Sequence, residues 1–257
     1  MAKENKILSD VLRIFIKVVF AYQRRIAKTL GFEDVLPGAV TMIQRFGSSL
    51  NHHLHFHSII PDGVFVDPGK EAALCWVDLP PPSPEDINHL IRKLRRKIFR
   101  YISKQEDLLA VDDDDDDAMS HTVSQAIQIR LPKFTPTDDH ASKITSPLCA
   151  MADGFSLHAG GTVQAKDREG LLRLCRYGKR APFSIQQFSR LENGNVRFQL
   201  KRSSPHVGGA THLVMEPKKV IRRLITLIPP PYSHSTRYFG VFAPNFRRRN
   251  EVNPSRV

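Results

Sequence analysis

The chain is poor in the residues that define several common classes of protein. Its 257 residues include only three cysteines, and no two of them form a CxxC pair. This spacing argues against a structural zinc site, and an odd cysteine count in a basic chain favours reduced thiols and a cytoplasmic location. No apolar run reaches the roughly 18 residues that span a bilayer. The N-terminal apolar stretch 11–22 is interrupted by Arg13 and Lys17, so we expect neither a signal peptide nor association with a membrane.

Acidic residues are scarce relative to basic ones. The chain has 38 lysines and arginines against 26 aspartates and glutamates, which gives a net charge of +12 at pH 7. A chain this basic attracts polyanions, and nucleic acid is the commonest of them. The alternative is a basic surface without a partner.

Six of the acidic residues form one unbroken run, Asp112–Asp117. Such a block repels itself, which favours a solvated linker over a metal-binding segment. We therefore divide the chain into an N-terminal part at 1–111, an acidic linker at 112–118 and a C-terminal part at 119–257. The two larger parts are expected to form a single domain.

Four segments carry apolar residues at helical spacing or begin with signals that start a helix. They predict helices over residues 5–30, 84–103, 167–177 and 217–227. Ser83 and Asp86 form a capping-box pattern at the start of the second helix. Asp167 is placed to cap the third helix, and Gly178 is placed to end it.

Short apolar runs between turn residues predict strands over residues 39–46, 50–61 and 64–66. The pair Asp62-Gly63 predicts a hairpin between the last two of these strands, and Asn193-Gly194 predicts another hairpin later in the chain. The expected fold class is therefore α/β in the α+β sense. It consists of an antiparallel sheet with helices packed on it, and of extra helices at the N-terminus and in the middle.

Three histidines alternate along the second predicted strand. Side chains two residues apart share one face of a strand, so His53, His55 and His57 point the same way, whereas Leu54 and Phe56 point to the other face, towards the core. Imidazoles side by side on one face form a platform for a divalent metal. Two alternatives stay open, an exposed polar face and a set of hydrogen-bonded histidines.

Several short blocks occur in order along the chain. They are Gln44–Asn51, His53–His57, Asp62–Phe65, Ala152–His158, Leu174–Tyr177, Arg180–Phe183, Leu200–Arg202, Thr211–Leu213 and Tyr238–Pro244. Together they resemble the transposases of rolling-circle insertion sequences, which are tyrosine-type HUH single-strand endonucleases. HUH denotes two histidines separated by a bulky hydrophobe, as in His55-Phe56-His57. The resemblance covers nearly all of residues 5–250 and implies an HUH endonuclease-like core within one catalytic domain.

The resemblance implies a covalent mechanism. In these transposases a tyrosine on a helix attacks a DNA phosphate and forms a 5′-phosphotyrosine link, and the matching residue here is Tyr177. His55 and His57 match the pair that holds a divalent metal, Mg²⁺ or Mn²⁺, which polarises the phosphate. The implied partner is single-stranded DNA at the ends of the element and at its target. The implied location is a bacterial cytoplasm, in association with the nucleoid.

The third metal ligand has three candidates. His53 shares the face of the other two histidines, Gln44 lies in the preceding strand and can reach across, and Asp62 fits a turn better than a metal site. Four basic residues around the tyrosine are placed to grip DNA phosphates. They are Arg173, Arg176, Lys179 and Arg180.

The chain departs from the family pattern in three places. Many members carry another tyrosine four residues before the matched one, and Arg173 stands there, which favours a single nucleophile. The usual Arg-Pro-Pro after the tyrosine reads Arg180-Ala181-Pro182. Members commonly begin with a cysteine-rich, zinc-binding segment. This chain begins after the place of that segment, as expected of a truncated copy or a separate reading frame.

Other readings of the sequence stay open. Tyr238 is the rival nucleophile, and we favour Tyr177 because basic residues surround it. Three functions compete. They are a transposase with HUH endonuclease chemistry, a DNA-binding remnant without activity, and a metal hydrolase in which the strand histidines hold zinc and a bound water.

Overall fold

The computed structural model describes residues 2–69, 72–109, 143–146, 148–204, 209–229 and 231–252. The chain divides into two compact units, each assembled from separate segments. The first unit comprises Met1–Asn5, Ala39–Ile60 and Val163–Arg249, and the second comprises Lys6–Gly38, Pro61–Thr162 and Asn250–Val257. The predicted acidic linker at 112–118 lies outside the described residues.

Helices and strands alternate irregularly along the described chain. The helices are α1 (Ala2–Thr29), α2 (Pro84–Leu109), α3 (Arg168–Gly178), α4 (Pro217–Leu227) and α5 (Arg249–Val252), with a 3-10 turn at Ile185–Gln187. The strands are β1 (Val35–Leu36), β2 (Gly38–Phe46), β3 (His52–Ile59), β4 (Gly63–Val66), β5 (Cys75–Asp78), β6 (Lys143–Ser146), β7 (Cys149–Ala152), β8 (Phe155–His158), β9 (Phe188–Arg190), β10 (Val196–Ser204), β11 (Ala210–Met215) and β12 (Thr236–Gly240).

The first unit contains two three-stranded sheets, ordered β12-β2-β3 and β11-β10-β9. β2 pairs with β3, and β10 pairs with both of its neighbours, in antiparallel register. On β10, Phe198 and Leu200 are buried while the residues between and beside them are exposed. α4 adds Val220 and Leu227 to the core that these strand residues form. This core supports one face of the β11-β10-β9 sheet.

The second unit is built around the two long helices. Apolar residues of α2, spaced three and four apart from Ile87 to Ile98, pack with Val18 of α1 and with Ala150 and Ala152 of β7. The unit also holds two sheets, ordered β1-β4-β5 and β6-β7-β8. A smaller core joins the end of α1 to the first of these sheets.

The described elements confirm the predicted α+β class, with antiparallel strands and helices. The four predicted helices are observed as α1 to α4. The capping box at the start of α2 is confirmed, because the Ser83 amide donates to Asp86 Oδ2 and the Asp86 amide donates to Ser83 Oγ, each at 3.1 Å.

One predicted hairpin is confirmed and the other is wrong. Asn193 and Gly194 turn the chain between β9 and β10, with Gly194 at a φ of +83°. Asp62 and Gly63 do not join paired strands, because β3 pairs with β2 whereas β4 pairs with β1 and β5. Gly63 is needed for close packing instead, since a side chain there would overlap the Trp76 ring.

Candidate functional site

β3, in the first unit, carries the three predicted histidines in one row. The ring centroids of His53 and His55 lie 5.1 Å apart, and those of His55 and His57 lie 4.9 Å apart. The three rings therefore share one face of the strand, as the alternation predicted. Leu54 was predicted to face the core, and this is wrong, because its side chain is 40% exposed. It lies near the start of a strand at the edge of a three-stranded sheet, where packing partners are few.

β2 sets the register of the histidine row. Its residue Met42 pairs with His57, and Gln44 pairs with His55. Directly paired residues on antiparallel strands point to the same face. Gln44 therefore lies beside the histidines, as expected of a residue that reaches across from the preceding strand.

The surroundings of His57 favour the neutral form of its imidazole. Burial lowers the pKa of its imidazole, and electrostatic interaction with His55 and Arg180 lowers that pKa further. Its Nε2 atom is buried and has no hydrogen-bond partner among the described residues. A neutral imidazole with such a nitrogen offers a lone pair to a metal ion.

His55 is oriented by the backbone of its own strand. Its Nδ1 atom lies 3.0 Å from the carbonyl oxygen of His53. A carbonyl oxygen only accepts, so Nδ1 carries the hydrogen in this contact, and Nε2 is the ring nitrogen left to face a ligand. Ligand histidines in metal sites are commonly oriented by a carbonyl in this way.

α3 brings Tyr177 to the histidine row. The helix begins as predicted, with the Asp167 carboxylate accepting a 2.7 Å hydrogen bond from the Gly170 amide. The rings of Tyr177 and His57 meet edge to face, with their centroids 5.0 Å apart. Tyr177 is 49% exposed, so nearly half of the residue is open to solvent beside the histidines.

Arg180 is the basic residue in contact with Tyr177. Its guanidinium carbon lies 4.6 Å from the centroid of the Tyr177 ring and 5.8 Å from that of Phe46. Its Nε atom is buried without a hydrogen-bond partner among the described residues. A guanidinium in this position places positive charge over the phenol and offers donors to a phosphate.

The other three predicted DNA contacts lie on the surface of α3 and directly after it. Arg176 and Lys179 are exposed. Arg173 is also exposed, and its guanidinium lies 3.7 Å from Asp167 Oδ2. An exposed pair at that distance is weak, so it restrains Arg173 little.

The end of α3 rests on β2. Gln44, which is only 3% exposed, donates from Nε2 to the carbonyl oxygens of Tyr177 at 3.0 Å and Gly178 at 2.8 Å. A side chain at Gly178 would overlap the thioether of Met42. α3 ends at Gly178 as predicted, but the φ of Gly178 is not positive. Close packing on β2 is therefore the reason for a glycine at this position.

The alternative nucleophile Tyr238 and the alternative metal ligand Asp62 lie elsewhere in the fold. Tyr238 is on β12, which flanks β2 on the side opposite β3. Asp62 belongs to the second unit, where its backbone carbonyl accepts a 2.8 Å hydrogen bond from the Leu79 amide. Tyr177 is thus the candidate nucleophile whose ring contacts a histidine of the row.

The site contains atoms of the types that bind divalent metals. Among the described residues, no group of three or more histidine, cysteine, aspartate or glutamate side chains is arranged to hold a metal ion. However, His57 Nε2 and Gln44 Oε1 are both buried without a hydrogen-bond partner in the described part of the chain. Imidazole nitrogens and amide oxygens are donor types that divalent metals accept.

Three features of the site were not predicted from the sequence. They are the packing of Gly178 on Met42, the contact of Arg180 with Phe46, and the bonds of Gln44 to the end of α3. Period-two alternation along β2 was a usable signal for Met42, because Met42 and Gln44 share one face. A register shift between Gln44 and Phe46 breaks that alternation, so no pattern indicated Phe46.

Comparison with known proteins identifies the class of protein to which this chain belongs. The family model described as "Putative transposase" matches residues 38–251, which is most of the chain. The chain therefore belongs to this family of transposases, and its general function is DNA transposition. No curated protein and no solved structure gives a significant match. Within the described residues, no helix has the length and apolar character needed to cross a membrane.

Proposed function

We propose that this transposase cleaves and rejoins single-stranded DNA through a 5′-phosphotyrosine intermediate on Tyr177. The observation that carries the proposal is the contact of the Tyr177 ring with His57, beneath the guanidinium of Arg180. Phosphoryl transfer to a phenol needs a nucleophile, an activated phosphate and positive charge at one place. The residues for all three roles meet at the end of α3.

The cleavage step exchanges one phosphodiester for another. Tyr177 Oη forms a bond to the phosphorus, and the bond from phosphorus to the 3′ oxygen breaks. The phenolic proton passes to water, and the departing oxygen takes a proton from water to become a free 3′-hydroxyl. Rejoining is the reverse reaction with the 3′-hydroxyl of another strand. The energy of the broken bond is kept in the phosphotyrosine, so no other co-reactant is needed.

His55 and His57 would hold the divalent metal, Mg²⁺ or Mn²⁺, with Gln44 or His53 as the third ligand. When bound, the metal supplies Lewis-acid polarisation of the scissile phosphate. The lowered pKa of His57 supports this assignment, as does its Nε2 atom, which has no hydrogen-bond partner among the described residues.

Basic residues would hold the DNA backbone. Arg180 would contact the phosphate that is attacked, and Arg173, Arg176 and Lys179 would contact its neighbours. Phosphate contacts give affinity and register without reading the base sequence. The net charge of +12 supports a polyanionic partner.

A covalent-adduct assay tests the proposal. The full chain is incubated with single-stranded DNA from the ends of the element and with Mn²⁺ or Mg²⁺, and the products are separated under denaturing conditions. The expected result is a protein–DNA adduct whose mass includes the 5′ phosphate, together with a strand that ends in a 3′-hydroxyl. Binding without any adduct would instead favour a DNA-binding remnant. Cleavage with zinc and without an adduct would favour a metal hydrolase.

A further inference from the structure

Gln44 is a buried polar residue. Its hydrogen bonds indicate a role other than that of a candidate metal ligand. A buried amide is costly unless its hydrogen bonds are satisfied. Both atoms that face its nitrogen are carbonyl oxygens, those of Tyr177 and Gly178. Since carbonyls only accept, this orientation of the amide is the one that the contacts require.

The two carbonyls lie in the last turn of α3, where a helix leaves its final carbonyls without their usual partners. The Tyr177 carbonyl also accepts a 3.4 Å hydrogen bond from the Arg180 amide. The Gln44 side chain, on β2, donates a hydrogen bond to each of these two carbonyls. One of the two belongs to Tyr177 itself, so the bond fixes the backbone from which the candidate nucleophile projects. The contact of Gly178 with Met42 brings the same turn close to the same strand.

β2 also sets the position of the histidines. Gln44 is the direct partner of His55, and Met42 is the direct partner of His57. The residues that hold the end of α3 are therefore the cross-strand partners of the candidate metal ligands. A shift of Tyr177 relative to the histidine row would require these contacts to break.

We propose that Gln44 is a positioning residue for DNA cleavage, whose side-chain amide holds the end of α3 so that Tyr177 stays in register with His55 and His57. This inference rests on the proposed function for its effect on cleavage, but the bond between Gln44 and α3 is testable without it. The role belongs to Nε2, and Oε1 remains available as a metal ligand.

Gln44→Glu separates the two roles of the side chain. Glutamate has nearly the same shape and keeps an oxygen for the metal, but its carboxylate has no hydrogen to donate to the two carbonyls. We expect the single-turnover rate of adduct formation at saturating DNA to fall about 100-fold, because a small misplacement of a reacting group costs that much. The affinity for single-stranded DNA should change less than about threefold.

Amide hydrogen exchange gives a readout that needs no catalysis. In Gln44→Glu, peptides that span residues 174–181 should exchange about tenfold faster, while peptides from β10 stay unchanged. Gln23→Glu is the matched control. Gln23 is equally buried and donates from Nε2 to the Pro61 carbonyl at 2.9 Å in the second unit, so its replacement should leave exchange at 174–181 and the adduct rate unaltered.

The possible results distinguish the positioning role of Gln44 from the proposed function of the protein. Unchanged exchange at residues 174–181 in Gln44→Glu overturns the positioning role, whatever the activity. Faster exchange with an unchanged adduct rate overturns it as well, because position would then not matter for cleavage. A wild-type chain that forms no adduct overturns the proposed function, and exchange alone then decides whether Gln44 holds α3.

Discussion

Tyrosines on helices of the two units differ in what surrounds their side chains. In the second unit, the Tyr22 hydroxyl donates to Asp86 Oδ2 at 3.2 Å, and the Tyr101 hydroxyl donates to Asp10 Oδ2 at 2.8 Å. Burial and the neighbouring carboxylate raise the pKa of each phenol to about 12. These phenols stay protonated and join one segment of the unit to another.

Tyr177, in the first unit, contacts an imidazole and a guanidinium instead. His57 meets its ring edge to face, and Arg180 lies over it. A carboxylate disfavours a phenolate beside it, whereas positive charge attracts a phosphate. The comparison separates two helix tyrosines that donate to carboxylates from one whose ring contacts an imidazole and a guanidinium without such a bond being found among the described residues.

The largest expected effect is on the adduct itself. Tyr177→Phe removes the attacking oxygen, so we expect loss of at least about 10,000-fold in adduct formation, as for removal of other covalent nucleophiles. Tyr22→Phe is the matched control and should form adduct at the wild-type rate. An adduct that persists in Tyr177→Phe would assign the reaction to another residue, with Tyr238 the first to test.

Removal of the histidine pair should have the next largest effect. We expect the His55→Ala, His57→Ala double variant to cleave about 1,000-fold more slowly, because Lewis-acid activation of the phosphate is worth several kcal/mol. Chelation of divalent metal should slow the wild type to the same rate and leave the double variant unaffected. Equal cleavage by the variant and the wild type would show that these histidines hold no catalytic metal.

Arg180 allows a test of the guanidinium over the tyrosine. Arg180→Ala should slow adduct formation about 10- to 100-fold, through loss of one charged donor to the phosphate. Arg25 is the matched control, because its guanidinium lies 5.4 Å from the Tyr22 ring in the second unit. If Arg25→Ala slows the reaction as much as Arg180→Ala does, the effect is a general loss of charge.

The structural tyrosines should affect stability and leave the chemistry unchanged. Tyr22→Phe removes one partly buried hydrogen bond, so we expect a loss of about 1 kcal/mol and a fall in Tm of about 2–4 °C. Calorimetry at pH 7 checks the value. A Tm equal to that of the wild type would mean that the bond to Asp86 adds nothing to the fold.

The smallest expected effect is a difference in alkaline stability. The folded pKa of Tyr22, about 12, lies above its ordinary value of 10.0. Its stabilising contribution is therefore fully present below pH 10 and is lost as the pH rises through 12. Urea midpoints between pH 9 and 12 should fall more steeply for the wild type than for Tyr22→Phe. Parallel curves would contradict the raised pKa.

The sequence predicted well the features that depend on neighbouring residues. Helix periodicity, the cap at Asp167 and the turn at Asn193-Gly194 each involve contacts within a few residues, and each is confirmed. The shared face of the three histidines follows from the pleat of a single strand, so it too was predictable. The family membership rests on ordered blocks of sequence, which the family match covers.

Pairing between distant segments was less predictable. The Asp62-Gly63 pair has the composition of a hairpin turn, yet β4 pairs with β1 and β5. Turn propensity is worth less free energy than the burial of whole strands, so tertiary packing overrides it. The exposure of Leu54 has the same origin, because alternation gives the face of a residue but not whether another element covers that face.

The sequence by itself determined that this chain carries a row of histidines, a tyrosine on a capped helix and a basic surface, and that it belongs with transposases. Only the tertiary structure decided that Tyr177 meets His57, that Arg180 lies over the phenol, and that Gln44 binds the end of α3. The physical reason is distance along the chain. β2 and α3 are separated by more than a hundred residues, and their contact arises from packing that no local pattern records.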